Sequence, residues 1–128
     1  MENNTEESVE EFASKLFDMA RHGDPTLIEY VKQGVNVDLA NQDGQSFLML
    51  ASYNGQLELT RALLEAGANP NLLNDRGQSP LAGVIFKKED ALIDLLVEHG
   101  ADPLAGQPTA VDTARMFGRD DLVERFAQ

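Results

Sequence analysis

The sequence predicts an all-α repeat solenoid, in which four helix-turn-helix units stack on one another and carry two hairpin-like fingers. The 128-residue chain repeats itself with a period of 33 residues, which brings Gly34, Gly67 and Gly100 into register. A fixed period of this length indicates a repeat architecture. Each unit contains two apolar segments that are too short to be stable helices alone. The units must therefore bury their apolar faces against one another.

The repeats predict a single domain preceded by a short leader. Residues 1–7 are polar and acidic, and we expect them to form a flexible leader. A chain of this length can bury roughly two thirds of its unfolded surface, which is enough for one core. The repeat domain is expected to cover residues 8–128. Its units are placed at about 8–40, 41–73, 74–106 and 107–128.

The first unit begins with a capping box, in which Ser8 and Glu11 satisfy each other's backbone donors. The helix that follows extends to about Arg21 and is longer than its later counterparts, as suits the end of a stack. Asp24-Pro25 is expected to begin the second helix, with the aspartate as cap and the proline at the first helical position. The predicted apolar face of the first helix contains Val9, Phe12, Ala13, Leu16, Phe17, Met19 and Ala20.

The later units contain signals for turns and helix starts at matching positions. Asp43-Gly44 and Asp75-Arg76-Gly77 each follow a short extended segment, which predicts two projecting fingers. Ser46, Ser79 and Thr109 are placed to cap the helices that follow. The last pair of helices is predicted at 110–117 and 120–127. Asp120 and Asp121 are expected to cap the final helix.

The composition restricts the possible functions. The 10 Lys and Arg residues against 22 Asp and Glu residues give a net charge of −12. This charge repels phosphate backbones and anionic lipids, so binding to nucleic acid or to a membrane surface is disfavoured. The chain has no cysteine, which excludes disulfides and thiolate metal sites. No secretory signal or membrane span is evident, and a cytoplasmic protein is expected.

Several motifs resemble those of the ankyrin repeat family. The family's helix start, inter-helix glycine, Leu-Leu pair and Gly-Ala-Asp/Asn ending all occur, and the likeness covers about residues 12–127. The motifs are Ser79-Pro80-Leu81, Gly55, Leu63-Leu64, Gly67-Ala68-Asn69-Pro70-Asn71 and His99-Gly100-Ala101-Asp102-Pro103. The resemblance implies that inner helices and finger tips form a concave side. It also implies that the chain binds other proteins and does not catalyse a reaction.

Two departures from the family pattern stand out. Lys88 occupies the position of the inter-helix glycine, which often requires a positive φ. Either Lys88 adopts that conformation, at a strain on the order of 1 kcal/mol, or the turn after Phe86 is reshaped. The family's histidine position is occupied by Phe17, Met49, Ala82 and Asp112. The hydrogen bonds of that histidine are therefore absent.

The resemblance also implies where a partner protein would be contacted, namely at the finger tips and at the ends of the first helices. We expect Tyr53, Phe86 and Arg76 to form the centre of this surface. The alternative is that Phe86 and Phe117 lie in the core and only Tyr53 is exposed. The implied contact residues are Arg21, His22, Gln42, Asp43, Gln45, Tyr53, Asn54, Asp75, Arg76, Gln78, Phe86 and Lys87.

The sequence favours a non-catalytic, monomeric adaptor that binds another protein. No cofactor, metal site or catalytic residue is predicted, since His22 and His99 belong to different units and no phosphate loop is present. One alternative is an acidic stoichiometric inhibitor or immunity-type protein that blocks a basic partner. Structural self-assembly and an unrecognised hydrolase are the remaining alternatives.

Overall fold

The structure, a computed structural model, describes residues 8–128. The predicted leader lies outside the described residues. Residues 8–128 contain eight helices and no strand. The helices are α1 (Val9–His22), α2 (Thr26–Lys32), α3 (Phe47–Tyr53), α4 (Leu57–Glu65), α5 (Pro80–Phe86), α6 (Asp90–Glu98), α7 (Ala110–Met116) and α8 (Asp120–Phe126). Within the same range, no helix combines the length and the apolar character needed to cross a bilayer.

Successive helices pack as pairs, and the pairs stack in chain order. Helices α1, α3, α5 and α7 contact one another in turn and form an inner row. Helices α2, α4, α6 and α8 each pack against the inner helix that precedes them, and α4 also contacts α6. The predicted solenoid of four helix-turn-helix units is therefore confirmed.

The core is built from equivalent positions of successive units. Phe17 of α1 and Phe47 of α3 join two units directly, since their ring centres lie 5.0 Å apart. Each of the following leucine pairs, spaced by one period, is buried: Leu48 with Leu81, Leu59 with Leu92, and Leu63 with Leu96. Burial between the units thus replaces the core that no single unit could form.

The expected place of Val9 on the apolar face is wrong. Its side chain is 85% exposed. Phe12 is the first residue of α1 that packs against the core, and Val9 lies one turn before it. The first turn of α1 is instead held by the capping box of Ser8 and Glu11, in which both reciprocal hydrogen bonds measure 3.0 Å.

Side-chain caps begin every inner helix, as predicted. The hydroxyl groups of Ser46, Ser79 and Thr109 accept hydrogen bonds at 3.0–3.1 Å from the backbone N–H three residues on. The outer helices have no such caps. The predicted capping of α8 by Asp120 and Asp121 is therefore wrong. Arg119 occupies the capping position, and the two carboxylates lie in the first turn, where they still interact favourably with the helix dipole.

The start of α2 also differs from the prediction by one residue. Pro25 occupies the capping position, and the helix begins at Thr26. The Asp24 carboxylate still accepts a hydrogen bond from the Thr26 N–H at 2.9 Å. It therefore satisfies a donor at the beginning of the helix from one residue further out than a standard cap.

Tight turns join the two helices of each pair. Gly55 has a φ of 75°, and Lys88, at the equivalent position, has a φ of 61°. Lys88 is the one residue other than glycine with a positive φ among those that the structure describes. The turn after Phe86 is thus not reshaped, and Lys88 adopts the strained conformation.

Side chains at the bases of the fingers bind neighbouring units together. The Asp38 carboxylate accepts a hydrogen bond from the Asn69 N–H at 2.9 Å. One period later, the Asn71 side-chain oxygen accepts from the Asp102 N–H at 2.7 Å. The next equivalent position holds Leu104, which is 71% exposed and cannot make this bond. The same interaction therefore joins the first unit to the second and the second to the third.

Candidate functional site

A groove of about 480 Å³ runs along the inner helices beneath the fingers. Its floor and one side come from α3, α5 and α7, and its other side comes from the fingers. The helices contribute Met49, Leu50, Tyr53, Pro80, Ala82, Gly83, Phe86, Thr113 and Met116. The remaining lining residues are Gln45, Asn74, Arg76, Gln78, Ser79, Pro108 and Phe117.

The part of the floor that α3 and α5 form is apolar, since neither helix contains a charged residue. Met49 and Ala82, which stand one period apart at the expected histidine position, are 7% and 8% exposed. They close the floor with hydrocarbon and sulfur atoms, where a histidine would place hydrogen-bonding nitrogens. A ligand would therefore meet an apolar surface between polar finger tips.

Exposed aromatic rings follow one another along one side of the groove. Tyr53 is 42% exposed, Phe86 is 54% exposed and Phe117 is 39% exposed. The Phe86 and Phe117 rings meet edge to face, with their centres 5.6 Å apart. The alternative that places these two phenylalanines in the core is wrong, since both side chains are exposed. In the turn of Phe86, Val84 and Ile85 are buried in its place.

Tyr53 is held in place by contacts with two residues of the next unit. The Lys87 Nζ lies 4.8 Å from the centre of the tyrosine ring, within the range of a cation–π interaction. The ring also lies against Gly83, where any Cβ would come within 3.2 Å of the Tyr53 Cδ1. The absence of a side chain at Gly83 therefore allows the ring to lie against α5.

The fingers are fixed by asparagines that the sequence analysis did not single out. The Asn74 side-chain oxygen accepts hydrogen bonds from the Arg76 and Gln78 N–H groups, and its amide donates to the Gln78 Oε1 at 2.7 Å. Asn41 makes the corresponding bonds one period earlier. Their spacing of 33 residues was the signal that could have identified them. The two tips are also joined, because the Asp75 N–H donates to the Asp43 backbone oxygen at 3.0 Å.

The predicted fingers are therefore present as tight, braced turns. Asn41 N–H donates to the Gln45 backbone oxygen at 3.0 Å, and Asn74 N–H donates to that of Gln78 at 3.1 Å. Extended pairing goes no further than a single bridge between Ala40 and Ser46. Braced turns of this kind hold their tips in one orientation beside the groove.

Five of the twelve predicted contact residues line the groove. The five are Gln45, Tyr53, Arg76, Gln78 and Phe86. Lys87 is adjacent through its contact with Tyr53. The remaining six do not line it and are Arg21, His22, Gln42, Asp43, Asn54 and Asp75. Their contact with a partner stays a prediction.

Carboxylates are distributed unevenly between the groove and the outer helices. No aspartate or glutamate of residues 8–128 lines the groove. The outer helices carry most of the acidic residues of the later units. These include Glu58, Glu65, Asp90, Asp94, Glu98, Asp120, Asp121 and Glu124. The acidic excess of the chain therefore does not extend into the groove.

The perturbed carboxyl groups also lie elsewhere. Hydrogen bonds from Ser8 lower the pKa of Glu11, and those from Thr26 lower the pKa of Asp24. The Arg119 guanidinium lowers the pKa of Asp121. Among residues 8–128, no three histidine or acidic side chains come together as metal ligands. These carboxylates thus stabilise helix ends and an ion pair outside the groove.

The family model for ankyrin repeats, in three copies, matches residues 16–107. The chain belongs to the ankyrin repeat family. A Pseudomonas aeruginosa protein named as an ankyrin repeat protein is 43% identical over 54 residues, which are 41% of this chain and 32% of that protein. The human ASB11 ankyrin repeat domain has a TM-score of 0.64 and 32% identity, covering 69% of this chain and 40% of that one. This chain matches less than half of either relative.

The family assignment indicates the general function of the groove. Ankyrin repeats are generally protein–protein interaction modules. The stacked pairs, the paired fingers and the exposed ends of the inner helices are here the elements of an ankyrin stack. Protein binding is thus the function that the family supports for this ankyrin repeat chain.

Proposed function

We propose that this ankyrin repeat protein is a non-catalytic adaptor that holds one partner protein in the groove of its inner helices. The observation that carries the proposal is the exposure of Tyr53 and Phe86, side by side on successive inner helices. Exposed aromatic side chains on a rigid surface are common energetic anchors of protein interfaces. Their burial by a partner would remove apolar surface that folding leaves in water.

The rigidity of the groove supports the same proposal. Its helices are capped by Ser46, Ser79 and Thr109, and its fingers are braced by Asn41 and Asn74. Binding to a preformed surface loses less conformational entropy than binding that must order loops. The groove can therefore convert the burial of a few aromatic side chains into affinity.

The acidic inhibitor remains the second candidate, and it would use a different surface. Carboxylates are concentrated on the outer helices, whereas none from the described part of the chain lines the groove. A basic partner would therefore dock against the outer helices. Its association rate would fall steeply with salt, and substitutions in the groove would not affect it.

A pull-down from the native cell extract tests the adaptor proposal. The immobilised protein is compared with a Tyr53→Ala, Phe86→Ala double variant and with a Leu104→Ala control. Leu104 is also an exposed apolar residue, but it does not line the groove. We expect the double variant to lose the captured partner and the control to keep it. Equal capture by all three proteins would contradict the use of the groove.

The double variant must also remain folded. Both rings are largely exposed, so we expect its melting temperature to change by no more than a few degrees. A large decrease would show that the two rings contribute to the core and that the loss of capture reflects unfolding.

The monomeric, cytoplasmic and non-catalytic character of the protein is part of the proposal. Size-exclusion chromatography with light scattering should give the mass of one 14.0 kDa chain. A dimer would instead support self-assembly through the end units. Turnover of generic ester or phosphate substrates would support the hydrolase alternative.

A further inference from the structure

The groove differs in charge from the rest of the molecule. The chain has 22 acidic residues among 128, and none of those that the structure describes lines the groove. Among residues 8–128, Arg76 is the one charged residue in the lining. Lys87 places a second positive charge next to the groove, with its Nζ 4.8 Å from the centre of the Tyr53 ring. The described lining thus carries a positive charge, in contrast to the acidic outer helices.

Arg76 also differs from the other five arginines of the chain. Each of those five forms an ion pair with a carboxylate at 2.6–3.8 Å, whereas the Arg76 guanidinium has no carboxylate partner among the described residues. The paired residues are Arg21 with Asp18, Arg61 with Glu58, Arg115 with Asp112, Arg119 with Asp90 and Asp121, and Arg125 with Asp94.

The nearest carboxylate in the sequence is kept away from this guanidinium. Asp75 precedes Arg76, but its Oδ1 lies against the backbone of Gly44 in the first finger, so close that a Cβ on Gly44 would overlap it. The Asp75 N–H is bound to Asp43 in the same place. The bracing of the second finger by Asn74 fixes the backbone of Arg76. The guanidinium is thus available to a ligand in the groove.

We infer that the groove recognises a segment of a partner protein that carries a carboxylate next to an aromatic or large aliphatic side chain. This inference rests on the proposed adaptor function and specifies the chemistry of the partner. The apolar side chain would pack on Tyr53 and Phe86, and the carboxylate would pair with Arg76. Arginine suits this role because its planar guanidinium donates two parallel hydrogen bonds to one carboxylate. The net charge of −12 repels a strongly acidic segment, so the segment carries one or two carboxylates.

Selection from a phage-displayed library of random peptides of about 12 residues tests the inference. We expect the enriched peptides to combine an aromatic or leucine-type residue with an aspartate or glutamate. An enriched peptide is then synthesised, and its affinity is measured by fluorescence polarisation. Arg76→Ala should weaken binding roughly tenfold, as expected for the loss of one charge-assisted pair. The matched control is Arg61→Ala, on the outer helix α4, which should bind the peptide like the original protein.

A second selection on Arg76→Glu provides the reverse test. It should enrich peptides in which lysine or arginine replaces the acidic residue. Peptides that need Tyr53 and Phe86 but lack a carboxylate, or that ignore Arg76→Ala, would overturn the inference and leave the adaptor proposal intact. If no enriched peptide is affected by the Tyr53→Ala, Phe86→Ala double variant, both the inference and the groove are wrong.

Discussion

The ring of Tyr53 lies directly against Gly83, so that a Cβ at residue 83 would stand 3.2 Å from the Tyr53 Cδ1. Gly83 lies inside α5, where it weakens the helix relative to alanine, and its φ is not positive. The glycine therefore serves the position of the tyrosine and not a turn of the backbone. The residue at position 83 therefore affects both the stability of α5 and the shape of the groove between the second and third units.

Gly83→Ala should separate the effect of residue 83 on helix stability from its effect on the position of Tyr53. Alanine favours a helix interior by about 1 kcal/mol over glycine, and Tyr53 is exposed enough to move by the few tenths of an ångström that the new Cβ requires. We expect the free energy of unfolding in urea to stay equal or to rise by up to about 1 kcal/mol. Affinity for groove-dependent peptides should fall several-fold. A clear loss of stability would show that Tyr53 cannot shift.

Lys88→Gly should stabilise the protein. Lys88 has a φ of 61°, which strains any residue with a side chain, and glycine adopts this conformation freely. Because glycine also has more freedom in the unfolded chain, the expected net gain is about 0.5–1 kcal/mol. Lys88→Ala is the control, since it removes the same side chain and keeps the strain. Equal stability of the two variants would contradict this explanation.

Thr60→Val and Thr113→Val form a matched pair. Both threonines are buried, but the Thr60 hydroxyl has no hydrogen-bond partner among the described residues, whereas the Thr113 hydroxyl donates to the Thr109 backbone oxygen at 2.9 Å. Valine has nearly the same shape as threonine. We expect Thr60→Val to raise the free energy of unfolding by about 1 kcal/mol and Thr113→Val to lower it by a similar amount. Destabilisation by both substitutions would indicate that the Thr60 hydroxyl finds a partner in solution.

Arg119→Gln should weaken the attachment of α8 in a pH-dependent way. The guanidinium donates to Asp90 of α6 and to Asp121 of α8 at 2.9–3.1 Å, and it lowers the pKa of Asp121. A carboxyl group whose pKa is lower in the folded state stabilises the fold above its unfolded pKa, and this contribution is lost as the pH falls through the folded value. We expect the melting temperature to fall by roughly 1–4 °C at neutral pH.

The pH dependence provides the control for Arg119→Gln. The difference between the two proteins should shrink once the pH drops below the ordinary aspartate pKa of about 3.9. A difference that stays constant across the pH range would assign the effect to packing of the arginine side chain and not to its charge.

Local signals in the sequence were sufficient for the helices and their order. Ser46, Ser79 and Thr109 cap because a hydroxyl in that position satisfies donors of the first turn regardless of what packs around it. The period of 33 residues fixes which positions are equivalent, and so Leu63 and Leu96 are both buried. Such features depend on a few residues that are close in the sequence or on the repeat period, so they can be predicted from a single sequence.

Properties that depend on neighbouring units were harder to predict. The exposure of Phe86 follows from which residues of its turn face inward, and the freedom of Arg76 follows from the contact of Asp75 with Gly44. Val9 fits the periodicity of α1, yet its side chain is exposed and does not join the core. The candidate groove was therefore predicted in its main residues, but its charge and its floor required the structure.

The hydrogen bonds from Asp38 and Asn71 to the following unit have an evolutionary consequence. Because both junctions use equivalent donors and acceptors, copying one unit in tandem would recreate a compatible joint on each side. A gain or loss of one whole unit would thus keep this hydrogen bond at the new junction. Leu104 breaks this scheme at the third unit, and the fourth unit packs on the third through α5 and α7 without this hydrogen bond.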